Sequence, residues 1–317
     1  MVLLLVICVL AGTATYYLNH ISKRGPVLAS SLVALSAGVL LPAFFPQNGY
    51  TLALAATCVS YAAMAAKSRI GNLQEMFVCS VLVAVLFSLS TNSLVGVGGR
   101  LGTIAAITVV IVWGIKTHRR QWIMMANKYQ IPGSDVLRNG VAFLLFIGTG
   151  TLLLYQAWQG AVSNTTRILL VLSVTVFAYG LYLHLIDFFK REIFEKSPDN
   201  FAQSVWLFPC AVVGTMLTFY LSYSLHLGPV IASGFVGAMA ALLLQGPYAV
   251  VTYTAVFAGT SAPSLLPSYY HVFFTGVAVW AIYILCRRIY QGFGSRLGTI
   301  AAGSVLMVQF ITRLIGS

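Results

Sequence analysis

The sequence predicts an all-α polytopic membrane protein. About twelve transmembrane helices form a 5+5 inverted-topology repeat with a two-helix insert. Three observations lead there: composition, the placement of charge, and an internal repeat. Of the 317 residues, 59% are hydrophobic and only 8% are charged, whereas about a quarter of a soluble domain's residues carry charge. Apolar runs of about 17–25 residues, the length a bilayer core requires, recur from end to end. No stretch is left over for a soluble domain.

The runs place spans at 2–18, 26–44, 50–66, 75–92, 100–116, 139–158, 167–187, 203–224, 229–246, 248–263, 270–287 and 297–315. Residues 1–18 have the hydrophobicity of a signal peptide but no basic segment ahead of it. They also resemble a later span, so they read as a retained helix. The net charge of +12 would point to nucleic acid in a soluble protein. Here the basic residues sit in short loops, where topology explains them, and no nucleic-acid partner is expected. With both termini outside, all 18 Lys and Arg except Arg100, Arg167 and Arg313 fall inside. That asymmetry predicts an integral protein of a bacterial inner (plasma) membrane with its termini outside.

The repeat is explicit. Gly96-Val97-Gly98-Gly99-Arg100-Leu101-Gly102-Thr103-Ile104-Ala105-Ala106 returns as Gly292-Phe293-Gly294-Ser295-Arg296-Leu297-Gly298-Thr299-Ile300-Ala301-Ala302. Gly25-Pro26-Val27-Leu28-Ala29-Ser30 returns as Gly228-Pro229-Val230-Ile231-Ala232-Ser233, and Gly12-Thr13 is echoed at Gly214-Thr215. Spans 1–5 therefore correspond to spans 8–12, and the odd offset makes equivalent helices cross in opposite directions. The expected units are 1–117, the first repeat; 118–200, a cytoplasmic loop plus the insert; and 201–317, the second repeat. Many carriers share this organisation and use it to expose a central site to alternate sides, although a shared organisation transfers no residue roles.

Two inside segments stand apart. Loop 117–138 mixes Trp122, Ile123, Met124 and Met125 with Lys128, as an interfacial helix beside anionic headgroups would. Segment 188–200 carries mixed charge. Together they are the expected contacts with lipid headgroups and with any membrane-complex partner.

The six acids, Glu75, Asp135, Asp187, Glu192, Glu195 and Asp199, lie in or near inside loops, none at a midplane where a carboxylate would mark a proton or cation relay. Cys8, Cys58, Cys79, Cys210 and Cys286 form no Cys-x-x-Cys pair, so they read as small buried apolar side chains. His184 and Asp187 share one face of span 7, the spacing of an interfacial hydrogen bond. No nucleophile–base, metal-ligand or nucleotide-binding pattern stands out. Hence no catalytic residue, metal or cofactor is expected.

Candidate binding residues come from three places. Spans 3 and 10 are the shortest and correspond under the repeat; in span 10 the Gly, Thr, Ser and Pro around Thr260 and Ser261 favour an unwound end, tolerated in lipid only against protein or a wet cavity, and Ser60 lies in span 3. The other reading packs these two small-residue helices tightly at the pseudo-two-fold axis. Spans 2 and 9 carry small residues at helical spacing, a packing face, with Ser30 and Ser233 as site-lining hydroxyls. The repeated turns contribute Gly98, Arg100 and Thr103, and Gly294, Arg296 and Thr299. One reading makes them anion sites, with amides at a helix start joined by an arginine fork. The other has Gly98 and Gly294 end the preceding helix, the arginine snorkel to headgroups, and Gly102 and Gly298 permit close packing.

The expected function is that of a secondary-transporter-like or flippase-like protein. It moves a small anionic solute or lipid headgroup by alternating access. The alternative is a non-transporting integral subunit that anchors or assembles a larger membrane complex. Cysteine labelling tests the topology: in intact cells, Lys23→Cys and Arg287→Cys should resist an impermeant outside reagent, and their modification from outside would reverse the orientation.

Overall fold

Helices form wherever the apolar runs lie. The structure, a computed structural model, describes residues 1–121, 136–161, 163–190, 201–286 and 290–316. Twelve α-helices are present, with no strand among the described residues: α1 (Val2–Tyr16), α2 (Pro26–Phe44), α3 (Gly49–Ala63), α4 (Leu73–Leu89), α5 (Arg100–Gln121), α6 (Val136–Gln159), α7 (Asn164–Lys190), α8 (Phe201–Phe219), α9 (Pro229–Leu243), α10 (Pro247–Gly259), α11 (Tyr269–Leu285) and α12 (Arg296–Gly316). Among the described residues six segments are long and apolar enough to cross a membrane: Val2–Ile21, Pro26–Phe44, Arg100–Thr117, Asn164–Leu183, Ser204–Ser224 and Arg296–Ile315. This is consistent with an integral membrane protein. Large apolar side chains such as Leu10, Leu40, Ile168, Val213, Leu242, Phe274 and Phe310 are exposed on the outside of the bundle, as expected where lipid is the solvent.

Local structure repeats along with the sequence. Both α1 and α8 run into a five-residue π-helical turn, Tyr17–Ile21 and Tyr220–Ser224. Lys23 and His226 then both take positive φ, and Gly25 and Gly228 cap α2 and α9 at φ 86° and 78° with proline following at once. Packing repeats too. Helix α1 lies on α3 and α4 as α8 lies on α10 and α11; α2 lies on α3 as α9 lies on α10; α5 contacts α3 and α4 as α12 contacts α10 and α11. Across the middle, α2 meets α9 and α5 meets α12, while α7 packs on α5 and α6 on α11 and α12.

The core is α3 and α10. Ala55–Ala63 and Val251–Gly259 are buried at every position, and a helix apolar on all sides is one that protein surrounds. Both stop short of the expected ends at 66 and 263. Thr260 N–H donates to Phe257 O and Ser261 N–H to Ala258 O, the tighter i to i+3 pattern of a terminating turn. The freed chain then pairs across the middle: Ala66 N–H donates to Gly292 O and Ala262 N–H to Gly96 O, both at 2.8 Å.

The turns before α5 and α12 also depart from expectation. Ser90 and Cys286, not Gly98 and Gly294, close the preceding helices, and the glycines serve close approach instead. A Cβ on Gly102 would stand 2.5 Å from the Cα of Gly298. Residues 122–135 and 191–200, and the side chains of His184 and Asp187, lie outside what is described.

A Cβ on Gly98 would strike Phe257 O and come within 2.7 Å of Ala258 O, whereas one on Gly148 meets nothing within 4 Å. Gly98→Ala should therefore cost about 3 kcal/mol, the upper range for overpacking. Gly148→Ala should be neutral or slightly stabilising. Thermal unfolding of the two purified variants checks the contrast.

Candidate functional site

The repeated turn is first of all a backbone clasp. Besides the carbonyls of Gly96 and Gly292, which accept from the opposite half, Gly98 N–H donates to Ser261 Oγ at 2.9 Å, and that hydroxyl donates to Ala258 O at 2.7 Å. Gly294 lies against Met64 with no room for a side chain. Thr103 Oγ1 donates to Gly99 O at 3.2 Å, and Thr299 Oγ1 is buried with no hydrogen-bond partner among the described residues. Gly98, Gly294 and Ser261 thus occupy the contact itself, and the Gly98 amide proton is already used.

Arg100 is committed in part. Its Nη2 donates to Ser90 O at 2.6 Å and Thr91 O at 2.8 Å, carbonyls at the end of α4 that the helix leaves unpaired. Those two bonds spend both hydrogens of Nη2, so the paired edge needed to grip an anion bidentately is gone. Its Nε is buried with no hydrogen-bond partner among the described residues. Neither an arginine reaching into headgroups nor an open fork describes this geometry: the side chain turns inward and ties α5 to α4.

Two cavities flank the clasp. The first, of about 280 Å³, is bordered by Tyr50, Leu54, Thr57 and Tyr61 of α3, by residues 95–97 and 99–101, by Tyr223, Pro229, Val230 and Ser233, and by Phe257 and Thr260 at the end of α10. The second, of about 350 Å³, is bordered by Asn19, His20, Pro26, Val27, Met64 and Ala66, by Val250 near the start of α10, and by Gly292, Phe293, Gly294, Arg296 and Leu297. One meets the start of α3 and the end of α10; the other meets the end of α3 and the start of α10. Their walls use corresponding positions of the repeated motifs: Pro229 and Val230 match Pro26 and Val27, while Arg100 and Leu101 match Arg296 and Leu297.

A hydroxyl and aromatic plug separates them. Tyr253 OH donates to Ser30 Oγ at 3.1 Å, and Ser60 Oγ donates to Thr57 O at 2.8 Å. The 2.9 Å contact between Ser30 and Ser60 must then run from Ser30 to Ser60. A directed chain Tyr253–Ser30–Ser60–Thr57 O joins α10, α2 and α3. Tyr61 and Ser233 share the wall of the first cavity, and Ser233 Oγ donates to Val230 O at 2.9 Å. Tyr253, from one repeat, thus reaches a serine of the other. The rings of Tyr61 and Tyr253 both pack on Phe257, at 4.4 and 4.6 Å. Beside them Ser31 Oγ is buried in the space left by Gly237, with no hydrogen-bond partner among the described residues.

The far end of α3 is held differently. The Arg69 guanidinium lies 4.6 Å from the Trp113 ring centre and 4.3 Å from that of Phe293, within reach of a cation–π attraction to both rings. Tyr290 stacks on Phe146 at 3.9 Å, and burial pushes its phenol well above the usual tyrosine range, so it stays neutral. Among the described residues no group of three His, Cys, Asp or Glu side chains is placed to hold a metal.

No family model, curated protein or solved structure matches this chain, so the geometry carries the functional reading by itself.

Of the residues expected from sequence, Arg100, Ser233 and Thr260 border the first cavity, Gly294 and Arg296 border the second, Ser30 and Ser60 form the plug, and Gly98, Thr103, Thr299 and Ser261 pack the turns. Sequence reasoning missed Tyr61, Tyr253, Thr57, Tyr223 and His20. The first three lie on the two short spans that had already drawn notice, and His20 and Tyr223 stand at matching places before the two Gly-Pro starts. Removing the first donor of the chain, Tyr253→Phe, should destabilise the protein by about 1 kcal/mol, as should Ser60→Ala. Because both belong to one chain, the double variant should lose less than the sum. Thermal unfolding of the two single variants and the double variant measures that coupling.

Proposed function

We propose that this protein is a secondary-transporter-like carrier. Segments 1–117 and 201–317 act as the two halves of a 5+5 inverted repeat, with α6 and α7 inserted between them, and they move a small anionic solute or the headgroup of an anionic lipid by alternating access. One observation carries the reading: two cavities with corresponding walls lie at opposite ends of α3 and α10, separated by the plug of Tyr61, Tyr253, Phe257 and Ser30. Halves built alike but crossing in opposite directions exchange conformations, and such an exchange opens one cavity as it closes the other. The charge asymmetry supports an orientation in which the Arg100 cavity faces outside, the Arg296 cavity faces inside and both termini are outside.

Anion selectivity rests on the walls. Among the described residues each cavity is bordered by an arginine, Arg100 or Arg296, and by no Asp or Glu, so a cation entering either would meet a like charge at the wall.

The test uses a cysteine-free background with single probes, Thr260→Cys in the first cavity and Met64→Cys in the second. An impermeant maleimide should reach Thr260→Cys from outside and Met64→Cys from inside. Bulky modification of one should slow modification of the other several-fold, because a ligand that traps one state depletes its alternative. Labelling of both positions from one side, or at rates independent of each other, would remove alternating access and leave a static membrane subunit.

A further inference from the structure

The geometry points to a polyhydroxylated monoanion, a sugar-acid or polyol-phosphate type of group, as the ligand of the Arg100 cavity; this rests on the carrier reading and narrows its solute. The inference comes from counting which hydrogen atoms the wall has left to give. Thr57 Oγ1 donates to Ala53 O at 2.7 Å, Thr260 Oγ1 to Phe257 O at 2.7 Å, and Ser233 Oγ to Val230 O at 2.9 Å. Tyr223 OH donates to Thr260 O at 3.0 Å. A hydroxyl has one donor hydrogen and two acceptor lone pairs. Of the six hydroxyls that border this cavity, those of Tyr50 and Tyr61 aside, four have therefore spent their hydrogens on backbone carbonyls and present only lone pairs.

The complementary ligand must bring hydrogens of its own. Hydroxyl or ammonium groups would both serve, and the charges decide between them. Among the described residues no carboxylate borders the cavity, while Arg100 supplies a guanidinium whose bonds to the Ser90 and Thr91 carbonyls use only Nη2. An ammonium would face uncharged oxygens and a neighbouring cation, an unfavourable exchange for its water. A negatively charged oxygen would satisfy Arg100 through a charge-assisted bond. Several hydroxyls plus one anionic group meets both demands. The size agrees, since about 280 Å³ is at the lower end of small-molecule sites. The same chemistry occurs in a free polyhydroxy acid and in the headgroup of phosphatidylglycerol.

The experiment measures ligand-induced thermal stabilisation of the full chain in a neutral detergent, because a ligand bound only by the folded state raises the melting temperature. Gluconate is the probe. Glucose keeps hydroxyls without charge, hexanoate keeps charge without hydroxyls, and glutamine replaces the hydroxyl donors by ammonium. Gluconate should stabilise more than any of the three at equal concentration. Thr57→Val and Thr260→Val, which keep side-chain volume and remove a lone-pair donor, should each weaken gluconate binding roughly five- to tenfold while leaving any hexanoate effect unchanged. Arg100→Gln should abolish the gluconate shift; the two valine variants decide the matter if that substitution unfolds the end of α4. Adding phosphatidylglycerol rather than phosphatidylcholine distinguishes the sources: a shift that gluconate competes away assigns the site to the lipid headgroup, and a gluconate shift indifferent to lipid assigns it to a free solute. Equal shifts with hexanoate or glucose, a larger shift with glutamine, or no shift with gluconate or phosphatidylglycerol overturns the ligand class. The accessibility coupling between Thr260→Cys and Met64→Cys needs no ligand. A failure here with that coupling intact removes only the ligand class, and a gluconate shift without the coupling removes only the carrier.

Discussion

Where α5 crosses α12, the Cα of Gly298 lies where a side chain on Gly102 would begin, so the two backbones are in contact with nothing between them. The rest of the arrangement follows from that approach. In lipid there is no hydrophobic gain from bringing helices together, and dispersion and hydrogen bonding across small residues must do it. Contact at Gly102 and Gly298 brings the preceding turns within reach of the opposite half. There the carbonyls of Gly96 and Gly292 take the amides left free when α10 and α3 end. An amide stranded in an apolar interior would cost several kcal/mol. The early ends of α3 and α10 are thus stable only because the other half supplies acceptors for them.

Charge is treated with the same economy. Glu75 is bonded by Lys116 at 2.9 Å and by the Gly71 amide at 2.7 Å, and it sits three residues after Asn72, which caps α4. Arg69 is held by two aromatic faces and Arg100 by two helix-end carbonyls. Each fastens a loop to a helix. Arg69 aligns with Leu265 in the second half, whose side chain borders Gly96. The two ends of the bundle are therefore built alike in backbone and differ in side-chain chemistry: apolar contact closes one end and a cation over aromatic rings closes the other. On the carrier reading, that difference sets how much free energy each opening requires.

Between the cavities, the plug joins the halves through directed hydroxyl bonds rather than through charge. Such bonds are individually weak, and on the carrier reading they could be exchanged for a ligand's hydroxyls at little net cost as the barrier opens. The spent hydrogens of Thr57, Thr260 and Ser233 follow from helix geometry, since a Ser or Thr in an apolar helix bonds to a carbonyl three or four residues back. The character of the cavity wall is in this sense a by-product of burying hydroxyls on helices in a medium without water.

By itself the sequence determined the helices, because apolar length and sparse charge leave no other structure for those segments in a bilayer. It also determined the correspondence of the two ends of the chain, because Arg-Leu-Gly-Thr-Ile-Ala-Ala and Gly-Pro-Val recur at matching places. The roles of the repeated residues were beyond it. A glycine–arginine turn at a helix start reads either as an anion site or as packing, and only the tertiary partners decide: Ser261 across the seam takes the Gly98 amide, and Ser90 and Thr91 at the end of α4 take two hydrogens of Arg100. Tyr253 was unreadable for the same reason, since a tyrosine on an apolar helix is ordinary core until another helix sets a serine opposite its hydroxyl. Secondary structure is dictated by nearest neighbours and solvent, which sequence contains. The direction of a hydrogen bond depends on which acceptor the tertiary fold brings within about 3 Å, and for the Gly98 amide and the Tyr253 hydroxyl that acceptor lies in the other repeat.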